Sequence, residues 1–82
     1  LGAQVAGDRR VVWTSSEMLP VDTDRRRLAL RGRRGTAGSI AFDRPVKARL
    51  DGCDVATEAR GDNHVIVYGH GEQPRLLELP ED

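Results

Sequence analysis

Short runs of alternating apolar and polar residues recur along this chain, and glycine, proline or aspartate separates one run from the next. Alternation with a period of two indicates half-buried β-strands, and no long stretch keeps the apolar period of a helix. We therefore predict an all-β fold, an antiparallel β-sandwich or barrel of about seven short strands built from hairpins. The predicted strands are Arg10–Ser15, Arg26–Arg31, Gly38–Phe42, Val46–Leu50, Cys53–Glu58, His64–Tyr68 and Arg75–Leu79.

The N-terminal part of the chain gives two local expectations. In the first predicted strand, alternation places Val11 and Trp13 on one face, so we expect the indole ring to be mostly buried. The next segment, Ser15–Leu19, is predicted to form at most one helical turn capped by a serine, because Pro20 stops any helix there.

The clearest turn signal is Asp51-Gly52, which lies between two alternating runs. This dipeptide favours a type I′ turn, because both of its residues adopt positive φ, and it predicts a hairpin of Val46–Leu50 with Cys53–Thr57. The two-residue turn also fixes the register. It sets Leu50 opposite Cys53, Ala48 opposite Val55 and Val46 opposite Thr57 on the buried face, and Arg49 opposite Asp54 on the exposed face.

Two segments, Leu28–Phe42 and Val65–Leu79, share one design: an apolar strand, a turn bracketed by glycines and a second apolar strand. We interpret each as a hairpin, because glycine adopts the positive φ that tight turns require. The glycine spacing matches neither a phosphate-binding loop nor a dinucleotide fingerprint, so the repeat predicts packing rather than nucleotide binding.

Length and composition fit one folded domain, which we assign to residues 1–82. Thirteen basic residues balance thirteen acidic ones, so no net charge draws the chain to nucleic acid or acidic lipid. The longest run of large apolar residues, Val65–Tyr68, is far shorter than the roughly 20 residues that cross a bilayer, and we predict no membrane contact. Because the chain starts at Leu1 without a signal-peptide pattern, we expect it to be part of a longer protein, whose compartment stays open.

The densest charged segment is Arg25–Arg34, which holds six arginines. Guanidinium groups suit phosphate oxygens, so Arg31, Arg33 and Arg34, together with His70, are the candidate binding residues. No aromatic residue lies among these arginines to stack a base, and acidic residues lie nearby in the sequence, so we do not expect nucleic acid as the partner. Docking of the arginines on an acidic surface of a parent protein is the alternative.

The sequence assigns no catalytic or metal site. His64 and His70, even with Glu72, lack the ligand spacing of zinc and calcium sites. The lone cysteine, Cys53, faces inward in the predicted hairpin and behaves there as a small apolar residue. The glutamates occupy no motif that would set two of them across a cleft. We therefore predict no catalytic residue, no metal and no cofactor.

The segment Val11–Leu19 contains Thr-Ser-Ser-Glu and is followed by Arg27–Thr36, while Val65–Glu72 looks like a second copy of the glycine-bracketed turn. Together these segments resemble the all-β domain that lies beside the catalytic barrel in family 35 β-galactosidases. The likeness extends from Val11 to Leu79. The catalytic glutamates of that family lie on the barrel, so the resemblance assigns no catalytic residue to this chain.

The resemblance implies a non-catalytic accessory or structural β-domain of a carbohydrate-active enzyme. Its expected partners are the catalytic and other domains of the same parent enzyme, and carbohydrate is left open as a ligand. The alternative hypothesis is a stand-alone binding module that uses the arginine-rich segment for an anionic polymer or nucleic acid.

Overall fold

A computed structural model describes residues 4–6, 9–23 and 26–79 of the chain, with only the backbone given at residues 4–6 and 9. These residues form ten β-strands. The strands are β1 (Gln4–Ala6), β2 (Arg9–Thr14), β3 (Glu17–Pro20), β4 (Arg27–Arg31), β5 (Ala37–Phe42), β6 (Lys47–Leu50), β7 (Cys53–Ala56), β8 (Glu58–Arg60), β9 (Asn63–Gly69) and β10 (Arg75–Glu78). All seven predicted strands are present, but the predicted strand Cys53–Glu58 ends at Ala56, because Glu58 begins β8 in the other sheet. The strands β1, β3 and β8 were not predicted.

The strands form two antiparallel five-stranded sheets, in the orders β1-β2-β5-β9-β8 and β3-β4-β10-β6-β7. We call these the first and the second sheet. Their inner faces enclose one core built from aliphatic residues and two rings, which confirms the predicted β-sandwich. The core residues are Val11, Leu28, Leu30, Ile40, Phe42, Val46, Ala48, Leu50, Ile66, Tyr68, Leu77 and Leu79. Within the described ranges, no helix is long and apolar enough to cross a membrane.

The prediction of a helical turn at Ser15–Leu19 is wrong. The two serines form a bend that carries the chain from the first sheet to the second, and Glu17–Pro20 continues as β3. This strand pairs with β4, which sets Met18 opposite Leu30 and lets the methionine pack on the core. The proline is tolerated because β3 lies at the edge of its sheet, where a missing N–H costs no ladder bond.

The predicted hairpin around Asp51-Gly52 is confirmed in its register. Leu50 pairs with Cys53 and Arg49 pairs with Asp54, and both turn residues have positive φ. One expectation is wrong, because the side chain of Cys53 is exposed. The reason is that β7 is the edge strand of the second sheet, so its inward positions are covered less well than those of β6.

Asp51 also ties this turn to the neighbouring strand. Its carboxylate accepts the N–H of Leu76 over 2.9 Å and forms an ion pair with Arg75. Burial raises the pKa of the Asp51 carboxyl, but these two partners outweigh burial and hold the pKa below its ordinary value. The side chain that initiates the hairpin thereby anchors it to the start of β10.

The two glycine-bracketed segments are not hairpins, which corrects the interpretation of the repeat. β4 lies in the second sheet and β5 in the first, and β9 and β10 are likewise divided between the sheets. Each segment is therefore an arch that crosses from one sheet to the other. Because β4 pairs with β10 and β5 pairs with β9, the two arches lie side by side, and the repeat describes two neighbouring packing units.

The prediction that Trp13 is mostly buried is wrong, since 43% of the residue is exposed. The pairing of β2 with β5 shifts between Val11 and Trp13, so Val12 is an extra residue in the strand. Such a β-bulge interrupts the alternation of side chains and re-aims those that follow it. Val11 therefore packs in the core, whereas the indole ring lies on the outer face of the first sheet.

Candidate functional site

Polar residues from three inter-sheet crossings meet at one end of the sandwich. Ser16 belongs to the β2–β3 crossing, Thr36 to the β4–β5 crossing and His70 to the β9–β10 crossing. The backbones of the two arches are joined there, because His70 donates its N–H to Thr36 and accepts that of Gly35. Ser16 and His70 are buried, at 7% and 8% exposure, whereas Thr36 is exposed, so the polar cluster reaches the surface at its threonine.

The side chains of this cluster form one continuous chain of hydrogen bonds. The Thr36 hydroxyl donates to the carbonyl of Arg33, which can only accept, and so accepts Nδ1–H of His70 over 2.9 Å. The other ring nitrogen, Nε2, is hydrogen-bonded to Ser16 Oγ over 2.7 Å. Ser16 Oγ is also hydrogen-bonded to the phenol oxygen of Tyr68. We call this set Tyr68, Ser16, His70 and Thr36 the serine–histidine chain.

Two glycines enclose the imidazole ring from the sides. A Cβ atom on Gly32 would coincide with the His70 ring, and one on Gly38 would collide with the Tyr68 ring and lie 2.8 Å from His70. Glycine is therefore required at both positions by the close approach of backbone to ring, and not by a turn conformation. The Tyr68 and His70 rings meet edge to face, with centroids 5.6 Å apart.

The contact of Ser16 Oγ with His70 Nε2 has the distance of a nucleophile–base pair, which the sequence did not suggest. Its surroundings favour a structural role. The serine oxygen is already bonded to Tyr68 and His70, and the ring is covered by backbone. Among the described residues, every buried side-chain nitrogen and oxygen has a hydrogen-bond partner. We interpret the serine–histidine chain as a tie that holds three crossings together.

The predicted binding residues lie at this same end. Arg31, Arg33 and Arg34 are exposed at the end of β4 and in the turn after it, whereas His70 is buried with both ring nitrogens bonded inside the protein. Arg34 pairs with Glu72 at 2.6 Å, which offsets part of the positive charge. A pocket of about 100 Å³ between these groups is lined by Arg31, His70 and Glu72. Anion binding by the three arginines stays a prediction; Arg25 lies outside the described residues.

The structure separates the two histidines. His64 lies near the start of β9 and His70 just beyond its end, and six extended residues span about 20 Å. The described residues contain no group of three His, Cys, Asp or Glu side chains that could hold a metal ion. His70 and Glu72 flank the same pocket, but His64 does not reach it.

Tyr68 is the only tyrosine of the chain and reports on the serine–histidine chain directly. Burial raises the pKa of its phenol above the ordinary value, and hydrogen bonds from Ser16 and Thr14 and the charge of Arg75 oppose that rise only in part. We predict that the tyrosinate absorbance band appears only above pH about 10 in the folded protein and at the ordinary pH in urea.

The sign of the linked stability change follows from the raised pKa. The phenol contributes its full stabilisation below pH about 10 and loses it as the pH rises toward the folded pKa, so the free energy of unfolding falls over that range. Unfolding curves at several alkaline pH values measure the fall, with Tyr68→Phe as the control that removes it. Identical tyrosinate titrations in the folded and unfolded protein would contradict the prediction.

An apolar row crosses the outer face of the second sheet. Leu19 pairs with Ala29, and Ala29 pairs with Leu76, so the three side chains lie side by side on β3, β4 and β10. Leu19 is 40% exposed, and Val21, just past the end of β3, is 59% exposed. We call Leu19, Ala29, Leu76 and Val21 the leucine row.

Charged residues form the neighbouring row on that face. Arg27, Glu78, Arg49 and Asp54 follow one another across β4, β10, β6 and β7 with alternating charge. The first two carry an ion pair of 3.8 Å and the last two one of 3.4 Å. An apolar strip beside a polar rim is the arrangement found in protein–protein interfaces.

Comparisons with protein families, with curated proteins and with solved structures find no match to this chain. The structure itself offers a polar cluster with a buried Ser16–His70 contact at one end of the sandwich. It also offers exposed apolar side chains on both outer faces, Trp13 on one and the leucine row on the other.

Proposed function

We propose that this chain is a non-catalytic accessory β-domain of a carbohydrate-active enzyme, resembling the domain beside the barrel of family 35 β-galactosidases. In this role it packs against the catalytic domain of the same parent enzyme. The observation that carries the proposal is the leucine row, an exposed apolar strip on a rigid sheet with a charged row beside it.

The leucine row supports a contact with another folded domain. Single exposed apolar residues are common on protein surfaces, whereas a continuous strip with a polar rim marks an interaction surface. Burying the exposed parts of Leu19 and Val21 contributes about 25 cal/mol for each Å² removed from water. The alternating charges of the neighbouring row add selectivity for a matching surface rather than affinity.

The burial of Ser16 and His70 supports the non-catalytic part of the proposal. A catalytic nucleophile needs room for the reacting atom of a substrate beside it. Ser16 Oγ instead has the Tyr68 phenol and the His70 imidazole as its neighbours and is buried. The serine–histidine chain then stabilises the fold, and a stable fold is what an accessory domain contributes to its parent enzyme.

The test uses the polypeptide that joins this chain to its catalytic domain. Leu19→Asp places a charge in the leucine row and is expected to shorten the half-life of activity at elevated temperature by about threefold or more. Thr23→Asp, an exposed position of the turn after β3, is the matched control and should leave the half-life unchanged. Equal half-lives for the two variants would contradict the domain contact.

A second measurement tests the absence of catalysis in the chain itself. The purified chain is expected to give no turnover of an aryl β-galactoside above the buffer rate. Turnover that disappears in Ser16→Ala would show that the serine–histidine chain is an active site and would overturn the proposal.

A further inference from the structure

The outer face of the first sheet, opposite to the leucine row, carries a second apolar strip that is built differently. Trp13 pairs with Ala41, Ala41 pairs with Val65, and Val65 pairs with Glu58, so one row crosses β2, β5, β9 and β8. The row spans three strand spacings, or about 14 Å. It begins with an indole ring and ends with a carboxylate.

The two side chains in the middle of this row are buried. Ala41 is 0% exposed and Val65 3% exposed, although both lie on the outer face, whereas Trp13 is 43% exposed. Beside the row, Val67 is 53% exposed. The exposed apolar surface here is therefore the Trp13 ring and Val67, with Val12 of the bulge, 44% exposed, next to Trp13 in the strand.

Planar polar groups lie at the far end of the row. Glu58 and Arg60 form an ion pair of 3.8 Å on this face, and Asn63 pairs with Arg60 in the adjoining row. A recess of about 230 Å³ adjoins Glu58 at the edge of β9, and its other lining residues are Val55, Ala56, Val65, Ile66 and Val67. Carboxylate, guanidinium and amide groups accept and donate hydrogen bonds in the paired geometry that neighbouring hydroxyl groups offer.

We propose that this face binds a pyranose oligosaccharide of two or three units, with one ring stacked on Trp13 and another hydrogen-bonded at Glu58, Arg60 and Asn63. One face of a pyranose ring presents C–H groups that pack on an indole, and its edge presents hydroxyl groups. The length of the row suits a few linked rings. The choice of galactose-containing probes, but not the geometry of the site, rests on the proposed function.

The same observations disfavour a protein as the occupant. A stable protein interface buries about 800 Å² on each partner around a large apolar centre. Here Ala41 and Val65 are already buried, so a flat protein surface would gain apolar area only from Trp13, Val67 and the neighbouring Val12. A sugar ring needs no apolar floor, because it stacks on the one indole and hydrogen-bonds at the exposed polar groups.

Trp13 is the only tryptophan of the chain, so its fluorescence reports on this site alone. Titration of the purified chain with galactose, with galactan oligosaccharides and with cello-oligosaccharides is expected to give a saturable emission change for at least one oligosaccharide, stronger than for the monosaccharide. A response to cello-oligosaccharides alone would support a pyranose-binding site but show that it binds glucose-containing rather than galactose-containing sugars. No saturable change with any sugar would overturn the site.

Calorimetric measurement of sugar binding by variants separates the loss of stacking on Trp13 from a general loss of structure. Trp13→Ala is expected to weaken binding about tenfold, the loss of one aromatic contact, and Trp13→Phe less. Glu58→Gln, at the other end of the row, should also weaken binding, whereas Leu19→Asp on the opposite face should not. Circular dichroism checks that each variant is folded.

Binding that survives both Trp13→Ala and Glu58→Gln would place the sugar elsewhere and overturn the proposal. This outcome differs from failure of the domain contact. That failure is seen only in the half-life of activity of Leu19→Asp, and it leaves the sugar titrations unchanged. Occupation of the face by protein would show as loss of the emission change when the chain is joined to its catalytic domain.

Discussion

Replacing Gly38 with alanine is expected to lower the free energy of unfolding by about 3 kcal/mol, the upper range for an added methyl group in a packed core. The new Cβ would collide with the Tyr68 ring and lie 2.8 Å from His70. Neither ring is free to retreat, because Ser16 holds the phenol and the imidazole and Thr36 holds the other ring nitrogen. Urea unfolding followed by circular dichroism measures the loss.

Gly69→Ala is the matched control for this variant. Gly69 lies on β9, next to β5, but a Cβ atom there meets no atom within 4 Å and its φ is not in the left-handed region. We expect no loss and a gain of about 0.5 kcal/mol from the smaller entropy of the unfolded chain. Equal losses in Gly38→Ala and Gly69→Ala would show that strand glycine itself matters, and not the enclosure of the rings.

Removing the hydroxyl of Ser16 has the second largest expected effect. In Ser16→Ala, Nε2 of His70 and the Tyr68 phenol both lose their hydrogen bond to Ser16 inside the protein. A buried polar group without a partner costs about 1–3 kcal/mol, so the chain loses a large part of its stability. Removing the Ser16 hydrogen bond, which lowers the pKa of Tyr68, should also raise that pKa further.

Ser15→Ala is the control, since Ser15 is the exposed neighbour and water can replace its bond to the Ser39 N–H. The double variant Ser16→Ala with Tyr68→Phe completes the comparison. If the two residues act through one hydrogen bond, the double variant loses less stability than the sum of the single variants. Additive losses would contradict coupling of Ser16 and Tyr68 through one hydrogen bond.

The parts of the fold that depend on local residues could be predicted from the sequence. Alternation predicts seven of the ten strands, and Asp51-Gly52 predicts its hairpin register, because both signals operate between neighbours in the chain. The burial of single residues depends on strand order instead. Cys53 is exposed because β7 is an edge, and Trp13 is exposed because its strand contains a bulge against β5.

The candidate site could be predicted only in part, because its members are far apart in the sequence. Ser16 and His70 meet across 54 positions of the chain, and Thr36 and His70 across 34. No short motif joins them. The sequence does bring His70 and the arginines into related glycine-bracketed turns, but the side-by-side arrangement of the two arches depends on strand pairing.

The position of β10 has a consequence for how the protein is made. This strand, Arg75–Glu78, is the last one described, yet it lies between β4 and β6 in the middle of the second sheet. The hairpins β3–β4 and β6–β7 therefore belong to one sheet only after β10 has entered between them. During synthesis the second sheet cannot close until residues 75–78 have left the ribosome, so a nascent chain cut short before Arg75 exposes two open strand edges to aggregation.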